Sequence, residues 1–386
     1  MSHPTAPILL VGLTVRMLAE LAVKAGYPVL ALDYFGDVDL QALCPSLSLR
    51  WDFQQKYSAA ALVGVAASLK APAVVYGASL ENHPAEVARL GHGRQLLGNS
   101  PTTLTQVRQP LRLAEVLSAG GFPFPRTLLA PPDLSPNRRW RWLWKPLKSG
   151  GGHGIQRWQP GIPPPDGVWQ EQLTGLIGSA LFVANGQQAV LLGLTEQLVG
   201  RRAFGAARFG YCGNLLPPRV APAELTRLLQ QTRALVTHLT RLFNLRGLNG
   251  LDFIWHQGQV WTVEVNPRPS AAVELVDLAY NLRVFDVHVR SFKGELPDFD
   301  LEQALTHSPA AGKAILFAPQ TVRLEQTDHW LSSNLRDIPH PGEQINQHQP
   351  VCTILTTSAT PLACLRQLRS KALKLKQELK QFSLNS

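Results

Sequence analysis

Asp252, Glu264, Asn266 and Arg268 lie close together in the stretch "GLDFIWHQGQVWTVEVNPRPS". In "VEVN" the glutamate and the asparagine are two apart, so in a strand their side chains leave the same face. A turn near Gln257–Gly258 brings Asp252 onto the partner strand, within pairing distance. Two carboxylates and an amide oxygen make a hard oxygen site, the kind magnesium takes when it also holds substrate phosphates. Arg268, just beyond, can neutralise charge developing on a phosphoryl or acyl oxygen. A solvent-facing polar hairpin is the blander reading, but it gives no reason for an asparagine inside a valine-rich strand.

A second group of residues precedes it in "LWKPLKSGGGHGI" (Leu143 to Ile155). A Walker loop needs its lysine after the glycines, at a helix start. Here Lys145 comes first and Pro146 ends the strand. The loop Ser149 to Gly154 can still fold over a phosphate chain, because glycine permits close backbone approach. A glycine-rich hairpin turn with no ligand would read the same way. "WQEQL" (Trp169 to Leu173) looks like a strand end leading into "TGLIGSA" and says little alone.

These groups need elements to hold them. Ile8 to Gly12, Tyr27 to Asp33 and Pro72 to Gly77 read as buried strands, with a helix from Val15 to Lys24 between the first two. The alternation implies a doubly wound α/β domain over about the first hundred residues. No GxGxxG follows the first strand, which weakens a dinucleotide site. Ligands in such sheets gather at the carboxyl ends of strands, near Gly12, Arg16, Asp33 and Glu81, although Asp33 and Glu81 read equally well as strand-end caps. One helix is expected from Thr103 to Ala119. Loops are expected over Pro131 to Pro136 and Pro160 to Gly167. "RRWRWLW" between them fits an amphipathic strand better than a base-stacking platform. Hairpins are expected over Ser179 to Leu198 and Leu251 to Asn266, a long helix from Pro222 to Phe243, and another near Val273. The tail has strand-like "KAILFA" and "PVCTILTT" and a basic amphipathic helix, Leu362 to Phe382, whose lysine face reads as solvated rather than membrane-bound.

The 386 residues carry a formal charge of +10 and 45% hydrophobic residues, enough for several cores and against wholesale disorder. The charge suits anionic partners, with phosphates and carboxylates of small substrates ahead of nucleic acid. Four scattered cysteines without a CxxC pair argue against a zinc ribbon or a disulfide scaffold and suit a reducing cytoplasm. The first apolar run is too short to span a bilayer and has no charged leader, so a cytoplasmic protein without membrane contact is expected.

In this order the lysine strand with its glycine loop, the "WQEQL" strand and the "E-x-N-x-R" hairpin resemble the ATP-grasp superfamily. "RDIPHPGEQINQHQPVCTILTT" resembles the small C-terminal β domain of its biotin carboxylase branch. "VGLTVRMLAELAVKAGYPVLALDYFGDVD" and "RFGYCGNLLPP" resemble a subgroup of predicted carboligases. The resemblance implies an α/β and α+β chain in four parts. These are an N-terminal doubly wound pre-ATP-grasp domain (1–105), a lid subdomain (106–172), a magnesium- and ATP-binding subdomain (173–300) and a β-rich C-terminal domain with a terminal helix (301–386).

It also implies roles. Lys145 would meet the α- and β-phosphates of ATP and act in catalysis with Arg268. Gly150, Gly151, Gly152 and His153 would form the lid loop, and Gln170 to Leu173 the hinge, with adenine on the backbone of Glu171 and Leu173. Asp252, Glu264 and Asn266 would hold one or two magnesium ions, or manganese. Two departures stand out. Relatives often carry a lysine in an "RDK"-like run where this chain has "RQP" (Arg108 to Pro110), so Arg108 is the candidate substitute. The glutamate that often meets the ribose after the hinge is absent from "GLIGSA". The implied activity is an ATP-dependent carboxylate–amine ligase working through an acyl phosphate on small molecules, for instance adding glutamate to a cofactor precursor. A bicarbonate-dependent carboxylase-like enzyme is the alternative, with biotin supplied by a partner because the chain has no biotinyl-lysine motif. A nucleotide- or nucleic-acid-binding regulator is the reading from another class. Relatives are often homodimers. Arg16, Glu81, Asn82, Arg201, Arg202 and Asn214 are the substrate candidates; the adjacent Arg201 and Arg202 suit an acidic substrate or a solvated turn.

Overall fold

The apolar runs of the first hundred residues pair in parallel as a five-stranded sheet: β1 (Ile8–Val11), β2 (Val29–Asp33), β3 (Ser46–Ser48), β4 (Ala73–Tyr76) and β5 (Gln95–Leu96), in the order β3-β2-β1-β4-β5. The computed structural model describes residues 6–130, 141–158, 166–333 and 335–382. β3 and β5 are too short to show a pattern in the sequence, and only their pairing reveals them. Strand alternation splits the core. Leu9, Val11, Val74 and Tyr76 pack with Leu62 and Val63 of the helix Ala59–Ser68. Ile8, Leu10 and Val75 pack on the other face with Leu18 and Leu21, and that core continues into Val273, Val276 and Phe285. The first domain is therefore joined to the rest of the chain by a continuous apolar core.

A small antiparallel sheet carries the lysine and the hinge. It comprises β6 (Thr127–Leu128), β7 (Trp142–Pro146), β8 (Gln156–Arg157) and β9 (Gly167–Glu171), in the order β6-β9-β7-β8. Trp142, Trp144 and Trp169 form its own core, so these tryptophans pack inward, as an amphipathic strand requires. Arg138 to Trp140 and the expected loops at Pro131–Pro136 and 160–165 lie outside the described residues.

The site's floor is an eight-stranded sheet. Its first members are β10 (Leu176–Asn185), β11 (Ala189–Val199), β12 (Tyr211–Leu216), β13 (Arg246–His256) and β14 (Gln259–Asn266). The tail adds β15 (Ala310–Phe317), a short β16 (Val322–Leu324), β17 (Leu335–Arg336), β18 (Glu343–Ile345) and β19 (Pro350–Ser358). The order is β14-β13-β10-β11-β12-β15-β19-β17, with β16 and β18 paired separately. The tail strands thus extend the central sheet, and the helix Pro361–Leu379 covers them through Cys364, Leu365, Leu368 and Ala372. On the other part of the sheet lies the helix Pro222–Phe243, its Leu228, Leu235, Val236 and Leu239 packed against Phe182, Leu194 and Leu251. No helix among the described residues is long and apolar enough to cross a membrane.

One expected element is corrected. Thr103 to Ala119 is not a single helix but two, Pro101–Val107 and Pro110–Ala119. Pro110 has no amide hydrogen to continue the first helix and pushes its predecessor out of helical geometry, while its fixed φ suits the first position of the second. Gln109 accordingly takes φ −95° and ψ 108°. The break leaves Arg108 at the helix end, turned toward β14.

Candidate active site

The β13–β14 hairpin turns where His256 pairs with Gln259, and both central residues are left-handed, Gln257 at φ 49° and Gly258 at φ 76°. A turn of that kind matches the twist of the two strands. Continued without a break it would pair Asp252 with Val263, but a bulge between Phe253 and Asp252 leaves Val263 as the extra residue and so sets Asp252 directly opposite Glu264 and Gly250 opposite Asn266. Asp252 is held from three sides. Ser179 Oγ and Gln197 Nε2 donate to its Oδ1 at 2.7 and 2.8 Å, and Asn266 Nδ2 donates to its Oδ2 at 3.1 Å. Ser179 on β10 faces Asp252 across the ladder, and Gln197 reaches it from β11. Sequence reasoning missed both, although each carries the signal that singled out Asn266: a polar side chain inside an apolar strand.

Arg108 meets this group from the helix break. Its Nη1 donates to Glu264, and its Nε and Nη2 donate to Asn82 Oδ1 at 3.1 and 2.8 Å. Burial opposes the charge on Glu264, but Arg108 and Lys145 outweigh it and hold the carboxyl below its usual range. Among the described residues no cation is in contact with Asp252. Burial, reinforced by Glu264 beside it, pushes its carboxyl up to about 6. Lys145 Nζ donates to Gln170 Oε1 at 3.0 Å, and burial lowers its ammonium pKa against the pull of Glu264 and Asp252.

A cleft separates the small sheet from this floor. It is lined by Arg108, Lys145 and Gln170 on one side, Val263, Glu264 and Val265 on another, and Gly150 and Gly152 above. The glycine loop lies over it in a left-handed path, with φ of 61°, 78° and 74° at Gly151, Gly152 and Gly154. Tyr211 N donates to the Gly151 carbonyl at 2.9 Å, latching the loop to the start of β12. His153 N donates back to the Gly150 carbonyl at 3.1 Å. On the hinge, Glu171 N donates to the Arg126 carbonyl at 2.9 Å, so that amide is already engaged.

The remaining candidates divide. Arg268 Nε donates to Glu81 Oε1 at 2.7 Å, which places Glu81, Asn82, Arg108 and Arg268 around the end of β14. Asn214 lies on the same sheet face as Gln197, accepts from Tyr211 and donates to Thr195 Oγ1 at 2.9 Å. Arg16 is elsewhere. It is 1% exposed and tied to Glu20, Glu274 and Asp337, with Asp39 at 3.6 Å, so it joins the first domain to the tail. Asp33 caps its own strand end by accepting from Val15 N and Gly36 N. Arg201 lies 3.8 Å from Glu196, whose principal partner is Arg219, and Arg202 is exposed. Among the described residues no three His, Cys, Asp or Glu side chains are grouped to hold a metal. The donor set is thus Asp252, Glu264 and the Asn266 amide. These oxygens would suit a magnesium ion that takes its other ligands from phosphate and water, and its charge would offset the burial and the neighbouring Glu264 that together raise Asp252.

Residues 109–272 match the family model of the ATP-grasp domain, and the chain carries that domain. No curated protein matches its sequence. Among solved structures, Rhizobium etli pyruvate carboxylase aligns with 96% of the chain at a TM-score of 0.71 and 13% identity, and the chain spans only 37% of that protein's length. The biotin carboxylase domain of Hydrogenobacter thermophilus 2-oxoglutarate carboxylase was solved with MgADP, ADP and bicarbonate. It aligns with 96% of this chain and 90% of its own, at a TM-score of 0.72 and 12% identity. The L-amino acid ligase of Bacillus licheniformis aligns with 96% and 97%, at 0.64 and 14%. At such identities the likeness is one of fold, and that fold is the ATP-grasp arrangement with a preceding α/β domain.

Proposed function

We propose that the protein is an ATP-dependent ligase that activates a small-molecule carboxylate as an acyl phosphate and transfers the acyl group to an amine. The observation that carries this reading is the convergence of Arg108, Lys145 and Glu264 on one cleft under the glycine loop. In this reading Lys145 and Arg108 meet the phosphates of ATP, and Gly150 to His153 close over them. The Glu171 carbonyl and the Leu173 amide hold adenine. Asp252, Glu264 and Asn266 hold magnesium, which offsets phosphate charge when bound. Arg268 steadies the acyl phosphate as the carboxylate oxygen attacks the γ-phosphorus and ADP leaves. The latched loop excludes water that would hydrolyse the acyl phosphate.

The fold likeness to a carboxylase domain solved with bicarbonate favours bicarbonate as a second candidate acid. A screen of carboxylates, bicarbonate included, with amines and MgATP tests both readings through ADP release. ADP formed only with an acid–amine pair, and lost in Asp252→Ala and Glu264→Ala, supports the ligase. ADP formed with bicarbonate alone supports the second reading, and no ADP with any mixture sinks both.

A further inference from the structure

Glu81 is 3% exposed, and one of its oxygens is unmet. Oε1 accepts from Arg268 Nε, whereas Oε2 is buried without a hydrogen-bond partner among the described residues. The hydroxyl of Ser270, two residues past Arg268, is likewise buried and unpaired. A buried acceptor left unpaired keeps the full cost of losing its water, and a charged one more so, so a carboxylate in this state calls for a donor. The backbone that presents it is itself unusual. Glu81 sits in the turn Leu80–Asn82 at the carboxyl end of β4, immediately after Ser79 at φ 82° and ψ −36°. Such a conformation is costly for a residue with a Cβ and concentrates at functional sites. Arg268 is in contact with Glu81, and Arg108, Tyr76 and Tyr57, whose own hydroxyl is buried and unpaired among the described residues, lie near enough to feel its charge. Tyr76 Oη already donates toward the Asn99 and Pro267 carbonyls, at 3.0 and 3.2 Å.

Resting on the ligase reading, we infer that Glu81 Oε2 receives the amine substrate as an ammonium ion and takes the proton that makes it nucleophilic. The amine is then one that is protonated at neutral pH. One N–H proton passes to Oε2 and frees the lone pair, which forms the C–N bond at the acyl carbon. The C–O bond to phosphorus-bound oxygen breaks, and phosphate departs with that electron pair and the second N–H proton. Arg268, held by Oε1, faces the phosphate, so the two oxygens of one carboxylate set the two partners of the transfer side by side.

Hydroxylamine separates this role from the rest of the site, because it is largely unprotonated near neutral pH and needs no base. Wild type and Glu81→Gln are compared with MgATP and the acid found by ADP release, using hydroxylamine, ammonium chloride and free amino acids as acceptors. Gln keeps a carbonyl for Arg268 and loses only the proton acceptor. Amide formation in Glu81→Gln should fall about a hundredfold near pH 7 and recover toward about pH 9, while hydroxamate formation falls no more than about threefold. Parallel loss of both products, or an unchanged amide rate, overturns the role of Glu81 and leaves the ligase reading standing. Wild-type protein that yields neither ADP nor hydroxamate with any acid refutes the ligase reading and this inference with it. If Glu81→Gln fails to fold, Glu81→Asp, with its carboxylate withdrawn by one methylene, takes the same comparison.

Discussion

Gly152 and Gly150 stand two apart in the same loop, and a methyl group added to each should have opposite consequences. A Cβ on Gly152 would lie 1.9 Å from the Phe209 carbonyl oxygen and 2.8 Å from its carbon, in a backbone at φ 78°. A Cβ on Gly150 meets nothing within 4 Å. The left-handed conformation alone costs alanine about 1–2 kcal/mol. The Phe209 carbonyl belongs to the main chain and cannot swing aside, so the latched state of Gly152→Ala loses at least about 2 kcal/mol, or roughly thirtyfold in the closed-to-open ratio. MgATP affinity, measured by titration calorimetry, should weaken by about that factor in Gly152→Ala and by less than twofold in Gly150→Ala. Because the Tyr211 amide donates to the Gly151 carbonyl, hydrogen exchange in the peptide containing Tyr211 should speed up in the first variant only. Equal nucleotide affinity and equal exchange in the two variants would refute the claim that this loop closes the site by main-chain contact.

Asp252→Asn should stabilise the nucleotide-free protein above pH 6 by up to about 3 kcal/mol, because the native carboxyl is raised to about 6 from an ordinary 3.8. The sign follows from proton binding: the folded state holds the proton more tightly, so the cost appears as pH rises from about 4 to 6 and is constant above. Urea melts at pH 4 and pH 8 should show the difference only at pH 8, together with loss of the MgATP-induced shift in melting temperature. Arg16→Met should cost about 3–5 kcal/mol in urea unfolding, since it removes the guanidinium from Asp337 and leaves Glu274 with Lys313 alone, and leave MgATP affinity within about twofold. Arg108→Ala should cost about 2 kcal/mol by leaving Glu264 with only Lys145 to offset its charge in a partly open site. The double variant with Glu264→Ala should recover most of that stability while losing nucleotide affinity, and a double variant no more stable than the single one would show that the pair is not coupled.

The legible parts of the fold and site are those in which one segment determines its own geometry. The "HQGQ" turn defines a two-residue hairpin and brings Asp252 within pairing distance of "VEVN", but the turn alone would set it opposite Val263, and the bulge that puts Glu264 there shows only in the structure. "RQP" shows the other side of this. The apolar periodicity runs through Thr103 to Ala119 and suggests one helix, while Pro110 breaks it and so delivers Arg108 to Glu264. The break was written in the sequence, but its purpose was not, because the partner lies on a strand more than a hundred residues later. Burial is less legible still. Arg16 reads as available for substrate at a strand's carboxyl end, yet four carboxylates, from its own helix, the helices Val38–Leu43 and Val273–Tyr280, and the tail, enclose it. Glu81 looked equally like a cap, and what distinguishes it is a negative fact that only a packed structure supplies: an oxygen with no donor. Charged residues at strand ends therefore sort into ties and sites by whether their hydrogen bonds close, and in this chain Arg16 closes its set while Glu81 does not.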